Sequence, residues 1–378
     1  MHNPHFEKSP GQLIASALAG SWRDSPGAFP LSAEELTRIT PTVIKGAMGA
    51  LVWWRIRETP LAQSAAGIQL RDVYRLDRLE ARVHVHKIKS ILAHLKNARI
   101  ECALMKGWSI ARLYPEPGLR HYCDLDLCVA PNQYRRTSKA LESLGPSAFY
   151  VDLHRALGRH DKLSWKDLWA HSELIDLEGV PARVLGAEHH LRLLCLHWLR
   201  HGGWGPLGLC DIAVALEARP AGFDWDKSLG RNRKRADWVA CALGLAHQLL
   251  GARVDDTPVA DRARDLPRWL VPAVMEQWQT CANPNYRDMA LADISGLLGT
   301  PKNLLKEISV RWRQPIRATI EARGRFNDLP RWPYQLAALL LRSPELPRQV
   351  IKMLLRRTRS LIGTEAITRL PLQDKSGS

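Results

Sequence analysis

One short segment constrains the fold more than any other in this chain of 378 residues: Cys123-Asp124-Leu125-Asp126-Leu127-Cys128-Val129. Apolar and polar residues alternate with period two, which is the pattern of a β-strand. Leu125, Leu127 and Val129 go to one face and the two carboxylates to the other. The expected element is therefore a strand with one apolar and one polar face. Its neighbours read in the same way. Residues 100–105 form a short strand candidate that ends at Lys106-Gly107, and residues 108–114 read as a short helix. Pro115-Glu116-Pro117-Gly118 is a strong turn. A helix is expected over 133–144, closed by Gly145-Pro146, and a third alternating strand over 149–154.

The flanks are helical in texture. Ser32 and Glu35 have the spacing of a capping box. In the segment 68–98, Leu70, Val73, Leu76, Leu79, Val83, Val85 and Ile88 fall largely on one helical stripe. From Ser164 onward the pattern is again helical, with clear helices over 187–200 and 207–217. A nearly apolar and therefore buried helix is expected over 235–250, and a basic amphipathic one over 346–362, ahead of frayed residues 364–378. The expected class is α+β, a small mixed β-sheet core embedded in a largely helical protein. Four regions follow: a helical 1–98 packing on the core, the α/β core at 99–160, a helical 161–300, and a basic helical 301–378.

Composition excludes several alternatives. Hydrophobic residues are 46% and charged residues 24%, ordinary for a globular chain. No uncharged apolar run reaches the roughly 18 residues that span a bilayer, and the apolar stretch 13–19 is a poor signal peptide, so a cytoplasmic protein is expected. Seven cysteines with no CxxC pair argue against a disulfide framework or a zinc ribbon and read as small buried hydrophobes. The net charge is +16, and residues 301–378 hold 16 basic against 6 acidic residues. Such a surface attracts anions, whether nucleotide phosphates, nucleic acid or anionic lipid. The tryptophans are scattered and form no basic–aromatic stripe, which disfavours nucleic acid as the partner.

Asp124 and Asp126, at i and i+2 on a strand, point the same way, and two such carboxylates call for a cation. Oxygen donors of this kind suit Mg²⁺ held together with substrate phosphates. If the third strand pairs beside them, Asp152 completes a cluster able to hold two ions ~4 Å apart for in-line phosphoryl transfer, with Mn²⁺ as the alternative ion. Upstream, Gly107 lets the backbone approach a phosphate, Ser109 adds a hydroxyl, and Lys106 and Arg120 add cations. Arg120 either binds the triphosphate or braces its loop. His154 reads as a structural or substrate contact. His197 and His201 have a chelating i, i+4 spacing, but no carboxylate completes a zinc motif, so a hydrogen bond to Asp211 or to the acceptor is expected instead. Asp211, in an apolar helix, reads either as one half of an ion pair or as a base.

Leu104-Met105-Lys106-Gly107, Leu113-Tyr114-Pro115-Glu116-Pro117-Gly118-Leu119-Arg120 and Asp124-Leu125-Asp126-Leu127 together resemble the bacterial uncharacterised nucleotidyltransferases, within the DNA-polymerase-β-like superfamily. Val151-Asp152-Leu153-His154 resembles the third-carboxylate strand of that superfamily. Leu196-His197-Trp198-Leu199-Arg200-His201 and Leu209-Cys210-Asp211-Ile212-Ala213 resemble its helical motifs, and the likeness covers roughly residues 70–250. The resemblance implies Mg²⁺-dependent transfer of an NMP group from NTP to an acceptor hydroxyl, phosphate or carboxylate on a small molecule or modified peptide, with release of pyrophosphate. Residues 161–300 would then form the acceptor or nucleotide side. Two other readings stand beside it. One is a non-catalytic basic binding module for nucleic acid or an anionic membrane, anchored by the C-terminal charge. The other is an inactive nucleotidyltransferase relic, because Trp108 stands where a small residue usually follows the glycine.

Overall fold

A computed structural model describes residues 8–145, 150–158, 161, 163–280 and 314–342. The chain divides into two units, residues 1–282 with 323–329, and residues 283–322 with 330–378. In the second unit the described residues form the helices Pro315–Glu321 and Trp332–Arg342, which pack on each other. The basic helix expected over 346–362 and the tail 364–378 lie outside the described residues.

The first unit opens with α1 (Pro10–Leu18), α2 (Ala33–Lys45), α3 (Gly49–Ile56) and α4 (Ala65–Asn97). The Ser32–Glu35 capping box starts α2 as expected, and Ser9–Gln12 forms a second one at α1. Leu13, Ile14 and Leu18 of α1 are fully buried, so the weak apolar stretch is core. The long α4 departs from its expected stripe. Leu70 and Ile88 are buried, but Leu76, Leu79 and Val83 between them are more than half exposed. The cause is what covers each stretch. The N-terminal part of α4 packs on α3, and Ile88, Ile91, Leu92 and Leu95 pack on the sheet. Between these, Asp77 and Ala81 are the buried positions.

The sheet has five strands: β1 (Cys102–Met105), β2 (Leu125–Val129), β3 (Val151–Arg155), β4 (Glu173–Leu177) and β5 (Val180–Val184). Their order is β3-β2-β1-β5-β4. The pairings β1/β2 and β4/β5 are antiparallel, and β2/β3 and β1/β5 are parallel, so the sheet is mixed as expected. Two strands were not expected. The 173–184 hairpin lies in a stretch read as helical, and its turn is Glu178-Gly179, both at positive φ. Glycine at the second position of that two-residue link suits the positive φ it needs, but the flanking segments Glu173–Leu177 and Val180–Val184 carry no clean alternation.

The other helices of this unit are α5 (Gly107–Ala111), α6 (Tyr134–Glu142), α7 (Trp165–Ala170), α8 (Ala187–Arg200), α9 (Pro206–Glu217), α10 (Trp225–Leu229), α11 (Arg233–Leu250), α12 (Ala260–Arg264) and α13 (Leu270–Thr280). Leu104, Leu125, Leu127 and Val129 face α4, while Ala103, Met105 and Cys128 pack with Leu168 of α7 and Leu193 of α8. Both faces of the sheet are thus covered, and every residue of β2 is buried. The polar face of β2 is not open to solvent, and Asp126 on it is only 4% exposed. Cys128, Cys195, Cys210 and Cys241 are buried, whereas Cys102 is half-buried and Cys123 exposed; all six are free thiols. Among the described residues no helix is long and apolar enough to cross a membrane.

Candidate active site

The site begins where β1 runs out. Lys106, the residue before α5, has φ 51° and ψ −148°, a backbone region close to one that is essentially reserved for glycine. Its N–H donates to Nε2 of His190 at 3.1 Å. Burial, with the Arg112 charge second, pushes the His190 imidazole down to about 3, so it is neutral and has a lone pair to offer. Gly107 follows at φ 34°, and a Cβ there would sit 3.3 Å from the Asp124 carbonyl oxygen. The strand end, the strained lysine and the glycine thus bring the α5 turn directly against the acidic strand. Ser109 is 1% exposed, and its hydroxyl has no hydrogen-bond partner among the described residues. The α5 helix has only five residues, so its N-terminus is a weaker anion site than the sequence implied.

The carboxylates come next. In the β2/β3 ladder, Asp126 stands directly opposite Asp152 and Cys128 opposite His154. Strand alternation therefore puts Asp126, Asp152 and His154 on one face. Nε2 of His154 lies 3.1 Å from Asp126 Oδ1 and 3.0 Å from Asp152 Oδ2. Potential ligand atoms of these three residues all lie within 4.8 Å of one another. Lys106 Nζ pairs with Asp126 Oδ1. The tight cluster therefore differs from the expected one, because His154 occupies the place given to Asp124. The reason is that β2 starts at Leu125, which leaves Asp124 outside the ladder.

Electrostatics separate the two neighbouring aspartates. Burial, reinforced by the Asp126 charge, raises Asp124 above the ordinary carboxylate range, and Lys106 and Arg120 offset only part of this. Burial pushes Asp126 the same way, but the His154 hydrogen bond and the Lys106 ammonium outweigh it and hold Asp126 low. Asp152 is the accessible member of the cluster, its side chain 46% exposed.

Arg120 is placed as a brace for its loop. Its guanidinium is paired with the buried Asp211 of α9, with Nη2 2.7 Å from Oδ2, and also donates to the His121 carbonyl. Tyr114 donates its hydroxyl to Oδ1 of the same carboxylate at 2.9 Å. Asp211 is one half of a buried ion pair, and its hydrogen bonds come from Arg120 and Tyr114 where one from His197 or His201 was expected. The rings of His197 and His201 lie 4.6 Å apart at the C-terminal end of α8, and neither belongs to a three-donor group among the described residues. His190 and Tyr114 were missed by sequence reasoning. Nothing in the first turn of α8 marks His190 beyond a histidine pair in a helix that is mostly buried.

The donors fit a divalent cation: two carboxylates and an imidazole converge, and a buried hydroxyl and a close-approach glycine lie on the α5 turn beside them. A family model described as an uncharacterised nucleotidyltransferase matches residues 32–251, which include all of these residues. No curated protein and no solved structure matches the chain.

Proposed function

Since the chain belongs to the uncharacterised nucleotidyltransferase family, we propose that it moves an NMP group from NTP to an acceptor hydroxyl, phosphate or carboxylate and releases pyrophosphate. The observation that carries this reading is the register match of Asp126 with Asp152 beside the Lys106-Gly107 turn. Asp126 and Asp152 would hold the divalent metal, Mg²⁺ or Mn²⁺, with Asp124 at the edge of the site and able to take part in holding a second ion. Bound there, the metal supplies charge neutralisation for the transferring phosphoryl group and its leaving pyrophosphate.

The remaining roles fall to side chains. Gly107 holds the α5 turn against the acidic strand, where the NTP phosphates would approach, and Ser109 is the buried hydroxyl on that turn. Lys106 is a cation shared between Asp126 and an incoming triphosphate. Asp152, exposed on its outer side, accepts the proton of the acceptor as its oxygen attacks the α-phosphorus in line. His154, bonded to both carboxylates, fixes their orientation and can carry that proton away.

The test uses the full chain with radiolabelled NTPs, Mg²⁺ or Mn²⁺, and a panel of hydroxyl, phosphate and carboxylate acceptors. Asp126→Asn and Asp152→Asn should each reduce NMP transfer and pyrophosphate release to background while circular dichroism stays unchanged. Turnover retained in Asp126→Asn would overturn the reading. One observation favours the inactive-relic reading: the Lys106 ammonium already sits on Asp126 as a resident cation. Absence of both nucleotide binding and metal binding, by calorimetry on the native chain, would select it.

A further inference from the structure

A second group of donors lies away from the cluster just described, on α4 and the loop that follows α5. Asp77 and Glu80 are three residues apart on α4 and so share a helix face. His121, in the loop leading to β2, brings Nδ1 to 3.2 Å from Asp77 Oδ1 and 3.6 Å from Glu80 Oε2. A tetrahedral ion with bonds of about 2.0–2.1 Å to nitrogen and oxygen needs donor–donor edges of roughly 3.3 Å. The observed spacings are of that size, and the donor atoms of all three residues lie within 4.8 Å of one another.

A separate observation also points to a ligand. Asp77 is 8% exposed, and its other oxygen, Oδ2, has no hydrogen-bond partner among the described residues. A buried carboxylate oxygen without a donor is costly. The imidazole, bonded to Oδ1, leaves that cost at Oδ2 standing.

We propose that Asp77, Glu80 and His121 form a structural site for a divalent transition-metal ion of the Zn²⁺ type, which pins the loop before Asp124 onto α4. One imidazole nitrogen with two carboxylate oxygens suits Zn²⁺ better than Mg²⁺, which prefers an all-oxygen octahedron, and water completes the shell. The loop is already pressed against α4 at this place. A Cβ on Gly118 would lie 2.5 Å from the Arg78 Cα, Tyr74 bonds to Glu116, and the His84 and Tyr122 rings are 5.1 Å apart. His121 is also the residue whose carbonyl accepts from Arg120. An ion here fixes the path of the chain three residues ahead of Asp124.

The test strips the full chain with chelator and titrates it with Zn²⁺ by calorimetry and with Co²⁺ by visible absorption. Zn²⁺ uptake of one equivalent should survive in the Asp126→Asn plus Asp152→Asn variant, which lacks the candidate catalytic cluster. It should weaken by at least the 10–100-fold that even outer-shell partners are worth in Glu80→Gln and in His121→Asn, with the Co²⁺ spectrum lost alongside. Glu80 is a half-exposed helix-surface residue, so its variant keeps the fold. Affinity unchanged in both Glu80→Gln and His121→Asn, or uptake that vanishes in the Asp126→Asn plus Asp152→Asn variant, would overturn the proposal and leave His121 as the partner in an ordinary ion pair.

Discussion

At the scale of single residues, the site depends on buried charges that hold each other. Arg120 and Asp211 are 16% and 3% exposed at their side chains, and Asp211 also holds Tyr114. Removing one member leaves the other charge uncompensated in a dry place, which typically costs about 3–5 kcal/mol. Asp211→Asn is expected to lose stability on that order in urea unfolding, and to lose activity secondarily through the displaced Arg120 loop. A change below about 1 kcal/mol, with the ordinary range for exposed pairs as its yardstick, would mean that the pair is effectively solvated. The sequence made Asp124, Asp126, Asp152 and Lys106 legible because alternation and a lysine–glycine turn are local patterns. The partner of Arg120 was not legible, since the carboxylate that claims it arrives 91 positions later on α9. His190 stayed hidden for the same reason, because its task, accepting the N–H of a strained Lys106, exists only once α8 has packed against the end of β1.

At the scale of elements, the loop between α5 and β2 is the joint on which the site turns. Gly118 has φ +89°, and its missing side chain lets the loop touch the α4 backbone. Gly118→Ala combines positive-φ strain with an overpacked contact that backbone atoms cannot yield. The sum is expected at about 2–4 kcal/mol, read as a lower melting temperature and as weaker metal binding at the Asp77–Glu80–His121 group. An unchanged melting temperature would show that the loop does not seat on α4 as described. Long helices with continuous periodicity were readable to within a residue or two, as with α8 and α11. The β4–β5 hairpin was not legible, because its turn has glutamate rather than Asn, Asp or Gly at the first positive-φ position and two five-residue strands between helical segments leave too short a pattern to outweigh the surrounding texture. The stripe on α4 misled in the opposite direction. Its periodicity is genuine, but burial is set by which neighbours reach each turn, and among the described residues none covers the apolar side chains at 76, 79 and 83.

At the scale of the whole molecule, the buried histidines set how stability responds to acid. His190 is held at about 3 by burial, against an ordinary value near 6.5 in the unfolded chain. Between those values the unfolded state binds a proton that the folded state refuses, so stability rises with pH there and is lost as pH falls below 6.5. His84 and His189 are also lowered by burial and act in the same direction. Without a metal bound, His121 acts in the opposite one. Its hydrogen bond to Asp77 leads the causes that raise it, so its contribution is present at low pH and fades as pH rises through its raised value. The sum of these terms makes a global acid titration ambiguous, whereas the difference between two chains isolates one residue. In His190→Gln the amide oxygen can still accept the Lys106 N–H but does not titrate. Going from pH 7 to pH 5, the native chain should lose about 2 kcal/mol more than this variant, at about 1.4 kcal/mol per pH unit below 6.5. Denaturant melts at each pH measure the difference directly. Parallel curves for the two chains would mean that His190 takes up its proton in the folded state, and the neutral acceptor that holds the Lys106 turn in place would then have to be abandoned.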